Sequence, residues 1–233
     1  MSPDLPPTLR ILYEDHHCLV VDKPARLITA SDKTGDATLL ELARAYHFAR
    51  QAPGKKGYLV PLHFLDRPVS GVVMFALSSK AAARLSEQFR KGQINKTYRA
   101  VVEGAPSSSE LHTVDSYLLK DRDHNLTKVV PAGTAGAKAS TLTYRSLGRK
   151  GPLSLLEVRP KTGRSHQIRV QLAQSGMPIY GDVKYGASSM WEHQIALHAL
   201  TVTFTHPVAK TPVTVTTPPP VLWQSIWPGV LDV

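Results

Sequence analysis

His63-Phe64-Leu65-Asp66-Arg67-Pro68-Val69-Ser70-Gly71, running on into the wholly apolar stretch Val72 to Leu77, decides how this chain is read. An acid stands directly before an Arg-Pro turn, and a strand-like run follows. That run is apolar at odd and even positions alike, the pattern of a central strand covered on both faces. One carboxylate is therefore predicted at the mouth of a buried sheet, where an acid is costly unless it is paired or used.

Working outward, residues 10–21 read as strand, turn, strand, with Glu14-Asp15-His16 as the turn and Lys23-Pro24 as the end. Residues 37–49 predict a helix with Leu39, Leu42 and Tyr46 on one face, and 51–57 a polar loop. Ser78 or Ser79 caps a second helix that buries Ala82, Leu85 and Phe89 and stops at Gly92. Its outer side carries Lys80, Arg84 and Lys91. Residues 96–103 form a strand with Tyr98, Ala100 and Val102 on one face and Thr97, Arg99 and Val101 on the other. Further strands fall near 111–119, 140–147, 153–159 and 195–204, with 120–138 as a long hairpin connection. Residues 164–175 predict a helix with Ile168 and Leu172 inward, and the tail with its two tryptophans packs back on the surface. There is no internal repeat. The irregular mixture of elements predicts a single α+β domain over residues 10–233, built on a long, mainly antiparallel sheet, behind an extended lead-in at 1–9.

The 233 residues carry a net charge of +10, with 42% hydrophobic and 20% charged residues. That balance excludes wholesale disorder, and no apolar run approaches the roughly 20 residues that span a bilayer. The N-terminus has no basic-then-apolar signal pattern. Cys18 is the sole cysteine, so an internal disulfide is excluded and a reducing cytoplasm fits. Its apolar neighbours predict a buried, inert thiol. The bases cluster: Lys80, Arg84, Arg90, Lys91, Lys96 and Arg99 face Glu87 alone, while Arg145, Arg149, Lys150, Arg159, Lys161, Arg164 and Arg169 face Glu157 alone. Two such stretches favour a surface that tracks phosphates over a merely solvated one.

Four segments, in order and at these intervals, resemble one family. They are Ile11 to Pro24; His63 to Gly71; Ile94-Asn95-Lys96-Thr97-Tyr98; and Thr162 to Val170 with Pro178 to Asp182 and Lys184-Tyr185-Gly186. The chain resembles an RNA pseudouridine synthase of the RluA type. The resemblance implies a cofactor-free, metal-free isomerase that breaks the N-glycosidic bond of a uridine in folded RNA and rejoins the base through carbon. It implies Asp66 as the catalytic aspartate, Tyr98 as the ring beneath the flipped uracil, Arg164 as the base that pairs with the aspartate, and a central basic cleft. His63, Phe64, Arg67, Lys96, His166, Gln167, Arg169, Lys80 and Arg84 are then the expected substrate contacts, and the partner is tRNA or rRNA. The family's upstream RNA-binding module is not expected here, because the catalytic pattern begins almost at Ile11. A monomer is the default.

The chain departs from the family at Phe64, where arginine is usual, and at Val69, where threonine is usual. Phe64 can still hold a base by stacking, at about 1–3 kcal/mol per base. Taken alone, each residue has a plainer role: Asp66 as a turn acid paired with Arg67, Tyr98 as a core aromatic, Arg164 as a surface base, and Lys80, Arg84 and Lys91 as a solvated helix face. His63 and His166 have no second His or carboxylate at ligand spacing to support a metal. Two other functions compete with the isomerase. One is a non-catalytic RNA-binding protein on the same fold. The other is an aspartate-based hydrolase, which lacks a second carboxylate near Asp66 and leaves the charge unexplained.

Overall fold

The computed structural model describes residues 9–30, 35–51 and 57–230. Most of the expected lead-in and of the 51–57 loop lies outside the described residues. The chain packs as two units, one built from the residues up to Ile94 plus Thr201–Pro218, the other from Asn95–Leu200 plus the chain from Pro219 on.

The first unit contains β1 (Arg10–Glu14), β2 (Cys18–Lys23), α1 (Leu39–Phe48), the two-residue β3 (Val60–Pro61), β4 (Ser70–Ala76) and α2 (Ser79–Arg90). β2 pairs antiparallel with β1 on one side and with β4 on the other, and β3 pairs with the far end of β4. Every residue of β4 is buried, as its two-sided apolar pattern predicts. Its side chains Val72 and Met74 pack with Cys18, Val20, Leu85, Val202, Phe204 and Val215. Each such fully buried aliphatic side chain stabilises the fold by about 1.5–3 kcal/mol.

Local signals set the helix ends. Ser78 accepts a hydrogen bond from the Ala81 amide at 3.2 Å and caps α2, and Gly92, at a φ of +66°, takes the left-handed turn that follows it. α1 starts with a capping box in which Thr38 and Glu41 satisfy each other's backbone amides. Its buried face is Leu39, Ala43 and His47. The expected Leu39–Leu42–Tyr46 face is one position out of phase, because Tyr46 turns outward, donates to Glu14 at 2.8 Å and lies under the Arg50 guanidinium.

The second unit contains β5 (Asn95–Glu103), β6 (His112–Asp121), β7 (Leu126–Val130), β8 (Lys138–Lys150), β9 (Leu153–Pro160) and α3 (Gln167–Gln174). β5, β9, β8, β6 and β7 are neighbours in that order, each pair antiparallel. The expected hairpin connection over 120–138 carries a strand of its own, β7, which pairs with β6 alone. α3 starts three residues later than expected, because His166 holds a left-handed φ of +51° that no helix continues. Trp223 is fully buried against Trp191 and His198, so the tail is core and not surface.

β10 (Leu197–Thr205) begins in the second unit and ends in the first, where β11 (Pro212–Thr216) folds back on it. β11 was not foreseen from its short Pro- and Thr-rich sequence. Mixed elements with antiparallel pairing make this an α+β fold. Among the described residues no helix is long and apolar enough to cross a membrane.

Candidate active site

Asp66 sits in the turn that leads into β4, where the Val69 amide donates to its carbonyl at 3.0 Å. The turn is fastened from two sides. Thr29 donates its hydroxyl to the Leu65 carbonyl at 2.9 Å and accepts from the Leu65 amide at 3.2 Å. Beneath it lies Lys23, at 0% exposure, with its ammonium donating to the carbonyls of Leu27 (2.7 Å), Pro24 (3.0 Å) and Arg67 (3.3 Å). The residue opposite Lys23 across the ladder is Gly71, at a φ of +118° that favours glycine. Burial pushes the Lys23 ammonium down to about 7, and the charges of Asp66 and then Asp22 resist that shift. Lys23 was passed over in the sequence as the end of a strand. Its one signal was a lysine closing an otherwise buried apolar run.

Arg67 does not pair with Asp66 as a simple turn acid would require. It forms an ion pair with Asp36 and donates Nε to the Arg26 carbonyl at 3.2 Å. Both arginine contacts are used in fixing the loop that faces the Asp66 turn. His63 accepts from the Met74 amide at 3.2 Å and packs on Phe89, 5.3 Å between ring centroids. Phe64 is 65% exposed, between half-buried His63 and buried Leu65. On α2, Lys80 is exposed, while Arg84 donates to the Pro207 carbonyl at 2.8 Å.

In the second unit, Tyr98 lies on β5 and is buried. Arg164 lies in the exposed turn before α3 and donates Nε to the Ala139 carbonyl at 3.0 Å. Gln167 builds that turn. Its carbonyl oxygen accepts from Thr162 (2.7 Å) and from the Arg164 amide (3.0 Å), and its NH2 donates to the Thr141 carbonyl at 3.0 Å. The Lys96 ammonium lies against the same turn: a Cβ on Gly163 would come within 3.6 Å of it. Burial lowers the pKa of Lys96. His166 hydrogen-bonds the Tyr185 hydroxyl at 2.7 Å, and that hydroxyl also accepts from the Thr127 amide at 2.9 Å.

Arg169 is buried and clamps Asp182 with two hydrogen bonds of 2.7 and 2.8 Å, over the Tyr185 ring. A guanidinium so engaged braces the fold, as Gln167 shapes the Arg164 turn.

A second polar cluster gathers three potential metal ligands in a hydrogen-bonded knot. Ligand atoms of Asp15, Cys18 and His206 lie within 4.8 Å of one another. Asp15 already accepts from the amides of His17 and Cys18, the Tyr13 hydroxyl and His206, all at 2.7 Å. Burial pushes the Cys18 thiol up to about 12. The cluster is a clasp that ties the β1–β2 turn to the turn after β10.

The α+β fold with an aspartate fixed at the entry to a central strand defines a class, and comparison with known proteins places the chain in it. Residues 17–174 match the family model described as RNA pseudouridylate synthase. The chain belongs to that family. It is 36% identical over 200 residues to the uncharacterized RNA pseudouridine synthase YhcT of Bacillus subtilis (strain 168), covering 86% of this chain but 65% of that protein. It is 34% identical to the ribosomal large subunit pseudouridine synthase D of Zymomonas mobilis, over 88% of this chain and 67% of that one. The tRNA pseudouridine synthase C of Vibrio cholerae is 30% identical over 94% of both chains. Among solved structures, human RNA pseudouridylate synthase domain containing 1 superposes with a TM-score of 0.72 at 27% identity, covering 96% of this chain and 89% of that one.

Proposed function

We propose that this protein converts uridine to pseudouridine in structured RNA, with Asp66 as the catalytic carboxylate. The observation that carries the reading is the Asp66 turn: an aspartate braced by buried Lys23 and Thr29, inside the stretch that matches the family. A stacked uracil is out of reach of any side chain, so the nucleotide must first be extruded, at a cost of a few kcal/mol. Binding of phosphates by basic side chains offsets part of that cost. Ionised Asp66 then acts on the nucleotide, either as nucleophile or as the base that takes a proton from the sugar. The N1–C1′ bond breaks, the base turns, C5 bonds to C1′, the C5 proton leaves to water and N1 takes one up, so the product is an isomer. Tyr98 supplies a ring and a hydroxyl, and Arg164 a guanidinium with donors still exposed. His63, Phe64, Lys96, Lys80 and Arg84 complete the substrate contacts.

The relatives named above are synthases by name, which favours catalysis over a binding-only role. The substrate is tRNA or rRNA. Relatives named for tRNA and for the ribosomal large subunit both match the chain, at 30% and 34% identity, so the mapping below decides between them. We place the protein in the cytoplasm, acting as a monomer. The test is pseudouridine mapping by carbodiimide labelling on total RNA from cells with and without the protein. Sites lost on deletion and restored by wild type but not by Asp66→Asn establish the activity and name the RNA. No lost site despite confirmed expression favours the binding-only protein.

A further inference from the structure

On the second unit Arg145 and Arg159, two of the seven bases of the second basic stretch, meet Arg99 of the first at Glu157. Arg99 on β5, Glu157 on β9 and Arg145 on β8 stand side by side in the ladder. Arg159, two residues on from Glu157, shares their face. Arg99 reaches one oxygen of Glu157 at 3.0 Å, and Arg145 and Arg159 reach the other at 3.0 and 2.9 Å.

Three guanidiniums on one carboxylate exceed what an ion pair needs. The Arg99–Glu157 pair, with both side chains 9% exposed, already satisfies the buried charge. Arg145 and Arg159 are 51% and 59% exposed and bring two like charges to a single oxygen, which leaves the cluster two positive charges in excess. Their donors are also not spent: each exposed arginine gives Glu157 one of its five N–H groups. The Nε of buried Arg99 has no partner. Burial pushes the Glu157 carboxyl up, but the hydrogen bonds from Arg145 and Arg99 and the charge of Arg159 reverse that, so it stays ionised and holds the forks in place.

We infer that Arg145 and Arg159, held by Glu157 and Arg99, form a phosphate-binding site for the RNA backbone, away from the reacting uridine. Alternation along β5 puts Tyr98 on the opposite face of the sheet from Arg99. That other face carries Tyr98, Val158 and Tyr144, with His112 stacked on Tyr144 at 4.9 Å. The site therefore takes a phosphodiester of a flanking segment, and two pre-positioned guanidiniums match its oxygens as forks. This inference rests on RNA being the substrate but does not require that the uridine be isomerised.

The test measures RNA affinity as a function of salt for wild type and for Arg145→Gln/Arg159→Gln, beside turnover at saturating RNA. The double variant keeps the buried Arg99–Glu157 pair. Expected are an affinity about tenfold weaker, a log–log salt slope shallower by about 1, and an unchanged kcat. Unchanged affinity and slope overturn the site. Glu157→Gln is the second arm: it keeps all three arginines and removes the carboxylate that holds the forks in place. Weaker RNA binding is expected although no arginine is lost, and unchanged or tighter binding overturns the positioning role of Glu157. Inorganic phosphate separates the sources: if it raises the melting temperature of wild type as strongly as RNA does, the site takes free anions and the RNA assignment fails. If wild type binds RNA with these dependences but forms no pseudouridine, the isomerase reading fails and the phosphate site stands.

Discussion

The ammonium of Lys23 lies 3.3 Å from the carbonyl oxygen of Arg67, wholly shielded from water, and so grips the turn that carries Asp66 from below. A lysine is an expensive way to fasten a loop. It does, however, offer three donors at once, and the chain supplies three carbonyls to meet them. Lys23→Met fills the space but orphans those carbonyls, at about 1–3 kcal/mol for a buried polar group. We expect lower thermal stability and at least about tenfold lower kcat as the Asp66 turn loosens. A variant that melts and turns over like wild type would remove Lys23 from the account.

The same residue gives a pH signature. Lys23 is pushed down from 10.5 to about 7 on folding. Between those values the unfolded chain binds a proton that the folded chain has given up, so stability rises with pH across that window. The contribution is complete above about 10.5 and gone below about 7. Thermal melts of Lys23→Met should show a flatter rise over this range than those of wild type.

Cys18 is expected to be silent. With its thiol buried and raised to about 12, alkylating reagents at pH 8 should label it only after denaturation. Rapid labelling of the native protein would contradict the β2 packing.

Arg169→Ala should act on the fold before it acts on RNA. Breaking a buried, bidentate pair strands Asp182 without its partner, at about 3–5 kcal/mol. Loss of RNA affinity with an unchanged melting temperature would instead make Arg169 a substrate contact.

Phe64 is the reverse case. It is exposed and adds little to the core, so Phe64→Ala should melt like wild type. It should nevertheless lose about 1–3 kcal/mol of RNA binding, because stacking on a base is lost. The salt slope should not change, since no charge is removed. Phe64→Arg restores affinity by a charge and should steepen the slope.

The legible parts of this chain were those where one pattern decides. β4 was plain because burial on both faces leaves no polar position, and α2 because Ser78 and Gly92 mark its ends. Asp66, Tyr98 and Arg164 could be singled out only because four motifs occur in order. The side-chain roles that stayed hidden shared one physical cause, partners distant in sequence. Lys23 reads as the end of a strand until the Arg67 carbonyl, 44 residues on, is in place beside it. The structural roles of Gln167 and Arg169 stay hidden until Thr141 and Asp182 are in place. β7 and β11 are five residues each and pair with one neighbouring strand, so neither offers a pattern long enough to read.

The most direct test of the central claim uses the proton that must leave. Joining C5 to C1′ expels the hydrogen on C5, so purified protein should release tritium from tRNA or rRNA transcribed with 5-tritiated uridine. The account predicts stoichiometric release by wild type, and none by Asp66→Asn even though that variant still binds the RNA. No release by wild type from tRNA or rRNA, or equal release by Asp66→Asn, would contradict it.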